Sequence, residues 1–148
     1  MSSVHQEVVV QSDAAHAWDV IRDVGAVHTR LLPGRVANTR IEGDYRFLTF
    51  PDGREIRELI IDIDDDRRRF SYAVIEGDSL GLTYHHATFQ VEPDGEDQCR
   101  LLWVTELLPA TLVDAVRVRM EIGGAEMGRV IEGSGPGGRR ASMRRSER

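Results

Sequence analysis

The hydrophobic pattern changes period three times along the chain. Val4 to Val10 is a valine-rich run that stops at Ser12-Asp13 and predicts a first strand. Asp13 is a good helix N-cap, and behind it Ala14, Ala17, Trp18 and Ile21 recur at three and four residues, the stripe of a short helix ending near Asp23. A second short helical piece is expected around residues 25–31, and Pro33-Gly34 then breaks the chain. From Arg35 to Leu108 the period falls to two. Val36–Ile41 and Tyr45–Phe50 flank Glu42-Gly43-Asp44, while Ile56–Ile63 and Phe70–Ile75 flank the run Asp64–Arg69. Thr83–Val91 and Cys99–Leu108 flank a loop containing Pro93-Asp94-Gly95. Successive hairpins of this kind predict an antiparallel sheet.

After Pro109 the helical period returns. Val113, Val116, Met120, Gly124, Met127 and Ile131 form one face of a long helix expected over residues 110–132. At 1.5 Å per residue it spans roughly 35 Å. Gly123-Gly124 is expected to bend or narrow it, and Gly133 to terminate it. The order of elements predicts an α+β domain in which a curved sheet wraps the C-terminal helix.

Charge divides the chain where periodicity ends. The net charge of −6 combines about −10 on residues 1–133 with +4 on residues 134–148, which hold five arginines and one glutamate. Residues 1–133 are read as the domain and 134–148 as a flexible Arg-rich tail with too little apolar surface to order itself. A tail that docks an acidic partner is the alternative. Nucleic acid is not expected as the main partner, because the acidic body repels a polyanion and no aromatics interleave the arginines. The chain lacks any run long and apolar enough to span a membrane and any signal-like start, so a cytoplasmic protein is expected.

Composition narrows the chemistry. All 19 basic residues are arginine, which excludes Schiff-base lysine chemistry and phosphate loops that need Gly-Lys-Ser/Thr. The single cysteine, Cys99, excludes an internal disulfide and multi-thiolate metal sites. His85 and His86 are adjacent, so a regular strand sends them to opposite faces and they cannot share a metal. No metal and no cofactor are expected. The acidic run Asp64-Asp65-Asp66 lacks the spacing and glycine of a calcium hand and reads as a solvated turn.

Several segments in order resemble one family. They are Ser12-Asp13-Ala14-Ala15-His16-Ala17-Trp18 leading to Arg22-Asp23, then Glu42-Gly43-Asp44-Tyr45-Arg46, and Asp52-Gly53 with Glu58. Next come the Asp64–Arg69 turn with Tyr72, and Tyr84 with Ala87-Thr88. Cys99-Arg100-Leu101-Leu102-Trp103 and the helix carrying Gly123-Gly124 and ending at Glu132 complete the set. Over residues 3–133 the chain resembles the START/Bet v 1-like superfamily, also called SRPBCC or polyketide cyclase/dehydrase. The resemblance implies a helix-grip fold: a seven-stranded antiparallel sheet around a long C-terminal helix, two short helices between strands 1 and 2, and a cavity for apolar ligands. The family includes lipid and hormone carriers and ring-closing enzymes. Where its plant hormone-receptor branch has a gate loop and a latch, this chain has only Pro51-Asp52-Gly53 and Asp78-Ser79-Leu80-Gly81, so hormone-gated phosphatase binding is not expected.

Period two places Ile56, Glu58, Ile60, Phe70, Tyr72 and Val74 on the inner face, and the resemblance agrees for Glu58, Tyr72 and Val74. Glu58 is then either a ligand anchor and acid–base group, or a carboxylate paired with an arginine such as Arg46. The last two strands leave two readings open. Pairing Glu92 with Gln98 groups His85, Ala87, Phe89, Leu101, Trp103 and Thr105 on the more apolar face, which burial turns inward. The resemblance instead turns Tyr84 and His86 inward, and a β-bulge is one way to reconcile the two. The expected ligand contacts on strands are Arg46, Leu48, Glu58, Ile60, Tyr72, Val74, Tyr84, His86 and Trp103, joined by Val116, Met120 and Met127 from the long helix. His28, Glu58, Tyr72 and His86 are the candidate catalytic groups, with a rim histidine as the plain alternative for His28.

Three functions remain: carriage of a small hydrophobic molecule, aldol cyclisation and dehydration by an aromatase/cyclase-type enzyme, and a protein-interaction role for the basic tail. A monomer or homodimer is expected, since Leu101–Leu108 is apolar on both faces.

Overall fold

A computed structural model describes residues 2–135. The chain runs β1 (Ser2–Val10), α1 (Ala14–Arg22), β2 (Asn38–Glu42), β3 (Tyr45–Thr49), β4 (Glu55–Asp64), β5 (Arg69–Glu76), β6 (Tyr84–Pro93), β7 (Cys99–Leu108) and α2 (Val113–Ser134). All seven strands form one antiparallel sheet in the order β1-β7-β6-β5-β4-β3-β2, so the chain's first strand closes against its last. This is the helix-grip architecture. The core fills the space between the inner face of the sheet, α1 and α2.

α1 begins where expected. The Asp13 carboxylate accepts from the His16 backbone N–H at 3.0 Å. Trp18 is buried on the core and its indole N–H donates to Asp65 at 2.9 Å, while Arg22 donates to the same carboxylate at 2.7 Å. The acidic turn between β4 and β5 thus holds α1 in place. Within that turn Asp64 accepts backbone N–H bonds from Asp66 and Arg67, the geometry of a solvated turn. The second helical piece is shorter than expected, a single wide π-type turn over Val27–Leu31. β2 starts two residues after Val36, which instead turns its side chain into the core.

α2 is continuous from Val113 to Ser134 and buries Val116, Met120, Met127 and Ile131. Its glycines serve packing. A Cβ at Gly124 would lie 3.1 Å from Val8 Cγ2, and one at Gly128 3.0 Å from Val8 Cγ1. The helix therefore presses its C-terminal half directly onto β1. Two bonds fasten that end: the Gln11 N–H donates to Glu132 at 2.8 Å, and the His16 ring nitrogen meets the Ser134 hydroxyl at 3.0 Å. The helix runs one residue beyond Gly133. The Arg-rich tail expected from residue 134 onward lies, beyond Gly135, outside the described residues.

The β6–β7 register resolves the two readings of the last strands. Glu92 pairs with Arg100 and Phe89 with Trp103, a regular ladder from Tyr84–Leu108 to Pro93–Cys99 without a bulge. This differs by two residues from a Glu92–Gln98 pairing, and a shift of two preserves which side chains share a face. Ala87, Phe89, Leu101, Trp103, Thr105 and Leu107 are all buried. The apolar face wins because it alone meets the core.

Candidate functional site

Between the sheet, α2 and the Val27–Val36 segment lies a cavity of about 530 Å³. α2 packs on β1 at Gly124 and Gly128 and buries Val116 and Met120 in the core, so the cavity lies beside its other flank. Across the cavity from β3–β6 the helix presents Ala115, Val118, Ile122, Gly123 and Met127. Val118 and Ile122 are more than half exposed, which marks the open side of the cavity.

The opposite wall is aromatic. Tyr72, Phe89 and Trp103 line the cavity from three neighbouring strands. Their rings are stacked, with centroids 6.2 Å apart for Tyr72–Phe89 and 4.9 Å for Phe89–Trp103. The Trp103 ring comes against α2 at Gly123, where a Cβ would sit at ordinary contact distance, 3.4 Å from it. The Trp103 indole N–H is buried and has no hydrogen-bond partner among the described residues. Leu48, Ile56 and Val74 complete the apolar surface.

Apart from the exposed Arg35 and Arg54, charged groups enter in two clusters. The first is enclosed: Arg46 and Glu58 face each other directly across β3 and β4, and Arg46 Nε donates to Glu58 Oε1 at 2.7 Å. Their side chains are only 6% and 4% exposed. The Arg46 guanidinium also lies 5.2 Å and 5.3 Å from the Phe70 and Tyr72 ring centroids. Of the two roles open to Glu58, the structure shows the arginine-paired carboxylate, on the cavity wall. Burial pushes the Tyr72 phenol well above its ordinary pKa, with the Glu58 charge acting in the same direction, so Tyr72 remains a neutral hydroxyl.

The second cluster sits where the β5–β6 connection meets α2. Asp78 Oδ2 lies 3.0 Å from His85 Nδ1 and 3.4 Å from Arg119 Nη2, and Asp78 Oδ1 accepts the Leu80 N–H at 2.8 Å. Asp78, His85 and Arg119 all line the cavity. Burial tends to raise the Asp78 pKa, but its bonds from His85 and Leu80 and the charge of Arg119 outweigh this and bring it down to about 2. Asp78 is therefore a carboxylate throughout the neutral range. Cys99 is buried away from this chemistry, and burial pushes its thiol up to about 11.

Among the expected contacts, Arg46, Leu48, Glu58, Tyr72, Val74, Trp103 and Met127 lie together on the cavity wall. Five do not. Ile60 is on the same face but packs against the core beyond the cavity, and Val116 and Met120 are core residues on the sheet-facing side of α2. Tyr84 and His86 require correction, because strand alternation sends them to the outer face. There Tyr84 is exposed and His86 Nδ1 lies 3.5 Å from Glu106. His28 is likewise not on the wall. Its ring nitrogen and backbone N–H both reach Thr39 Oγ1, tying the π-type turn to β2. The sequence-based site omitted Asp78 and Arg119, and took His86 where the apolar alternation had already pointed to His85.

Residues 1–142 match the family described as polyketide cyclase / dehydrase and lipid transport. The chain belongs to that family. It is 34% identical over 115 residues to S-norcoclaurine synthase of Thalictrum flavum subsp. glaucum, covering 70% of this chain and 55% of the relative. It spans about half the length of that curated relative. Among solved structures it resembles norcoclaurine synthase from Thalictrum flavum in complex with dopamine and hydroxybenzaldehyde, at TM-score 0.69 and 30% identity over 88% of this chain and 84% of the other. The di-domain ARO/CYC protein BexL of the BE-7585A biosynthetic pathway superposes at TM-score 0.78 with 14% identity, over 89% of this chain and 47% of the other, a likeness of fold alone. No helix among the described residues is long and apolar enough to cross a membrane.

Proposed function

We propose that this protein binds and carries a small, largely apolar, aromatic molecule in the cavity between sheet and helix. The supporting observation is a cavity of about 530 Å³ whose far wall is the stacked band Tyr72–Phe89–Trp103, with its charged groups gathered in the Arg46–Glu58 and Asp78–His85–Arg119 clusters and the exposed Arg35 and Arg54 beside them. Apolar walls supply affinity through desolvation, and a few fixed polar groups orient the ligand. Anilinonaphthalene sulfonate provides the test. Its fluorescence rises on binding to the wild-type protein, and Ile122→Trp, placed at the exposed open side, weakens that binding by about tenfold or more while circular dichroism is unchanged. Undiminished binding to the Ile122→Trp variant overturns the reading.

A second reading is supported by the similarity to norcoclaurine synthase at 30% identity over most of both chains. Under it the cavity is a reaction chamber of the aromatase/cyclase type, with Tyr72 as neutral hydroxyl donor. Product formation from an aromatic amine and an aldehyde, lost in Tyr72→Phe with binding retained, distinguishes it from carriage.

A further inference from the structure

We propose that His85 is a general base that removes a proton from a carbon acid bound in the cavity, with Asp78 as its positioning residue. The substrate class is a small aromatic molecule with an acidified C–H bond. The inference rests on the reading that the cavity takes aromatic molecules, and adds a chemical step to it.

Geometry carries the assignment. His85 lines the cavity from β6, and Asp78 engages Nδ1 at 3.0 Å. A carboxylate on Nδ1 holds the proton of the neutral imidazole there and leaves Nε2 as the unprotonated, basic nitrogen. Asp78 is itself fixed, by the Leu80 N–H at 2.8 Å and by Arg119 at 3.4 Å, so the ring is held in one orientation. His85 and Asp78 side chains are only 13% and 9% exposed, which removes competing water from the pair. The Tyr72 ring centroid is 6.5 Å from that of His85, so an aromatic molecule on the Tyr72–Phe89–Trp103 wall lies beside the imidazole. Other ionisable groups on the same cavity wall are Arg119 from α2, Tyr72 from β5, the Arg46–Glu58 pair from β3 and β4, and the exposed Arg35 and Arg54, of which Arg35 pairs with Glu126 at 2.6 Å and Arg54 lies over the Phe50 ring. Arg46 and Glu58 neutralise each other, and Arg119 is directed to Asp78, which leaves Asp78 as the charge that governs His85.

The probe is 5-nitrobenzisoxazole, an aromatic carbon acid that needs no co-reactant. His85 Nε2 takes the C3 proton, the C–H electron pair completes the nitrile, the N–O bond breaks, and its electrons leave on oxygen as the coloured cyanonitrophenolate. The imidazolium then returns its proton to water. Saturable turnover is expected, rising with pH through one ionisation. His85→Gln lowers kcat by about 100-fold or more with KM within about threefold. Imidazole added to His85→Ala restores part of the rate. His86→Gln, on the outer face, changes nothing. Asp78→Asn keeps an acceptor for Leu80 but no longer fixes the imidazole with its proton on Nδ1, so kcat falls while KM stays within about threefold.

An undiminished kcat in His85→Gln, or a pH profile without the ionisation, overturns the assignment. If the probe displaces anilinonaphthalene sulfonate but turns over no faster than with His85→Gln, the base assignment fails and the cavity reading stands. If it neither saturates nor displaces the dye, the cavity reading fails and takes the proposal with it.

Discussion

Replacing Glu58 with glutamine isolates the enclosed ion pair. At 2.7 Å the Arg46–Glu58 attraction amounts to about 6 kcal/mol at an effective dielectric constant near 20. That attraction offsets a desolvation cost of several kcal/mol per ion, so the pair itself adds little net stability. Glutamine leaves the opposite imbalance: a guanidinium that stays buried and loses its carboxylate. The Phe70 and Tyr72 faces near 5 Å recover only part of the loss. The expected cost is about 3–5 kcal/mol, a fall in melting temperature of roughly 10–20 °C for a domain of this size. Urea denaturation followed by circular dichroism measures it. The double variant Arg46→Met/Glu58→Leu removes both charges and should regain most of the loss, to within about 1–2 kcal/mol of wild type. A cost below about 1 kcal/mol for Glu58→Gln, or a double variant less stable than the single, refutes the argument.

Three further outcomes follow from local geometry. Gly77→Ala puts a Cβ 2.3 Å from the Glu55 carbonyl oxygen on a backbone with φ of +93°, and should cost about 2–3 kcal/mol in chemical denaturation. Gly128→Leu wedges α2 off Val8, with an expected loss of roughly 1–3 kcal/mol and altered amide shifts along β1 in heteronuclear NMR. Asp78 has a folded pKa near 2 against an ordinary 3.8, so its charge stabilises the fold above pH 4 and that contribution is lost as pH falls from about 4 toward 2. The stability gap between wild type and Asp78→Asn should therefore narrow over that interval in pH-dependent urea melts.

The amino-acid sequence by itself determined the elements, because each is a local matter of period and punctuation. Valine-rich alternation made β1, Asp13 capped α1, and the three-four stripe from Val113 to Ile131 made α2. The same reasoning placed Glu58, Tyr72 and Val74 on one wall, since side chains two apart on a strand share a face. For the last two strands it leaves two faces open, Tyr84 and His86 inward by resemblance or outward by apolar partition, and burial follows the partition.

What only the tertiary structure decided is where distant segments meet. Asp78 on a connection, His85 on β6 and Arg119 on α2 bear no mutual spacing that local periodicity can express. Gly124 and Gly128 look like helix weaknesses in isolation, yet their missing side chains let α2 sit on Val8. The cavity opens on the flank of α2 that carries Ala115, Val118 and Ile122, and its volume is a property of packing across the whole domain.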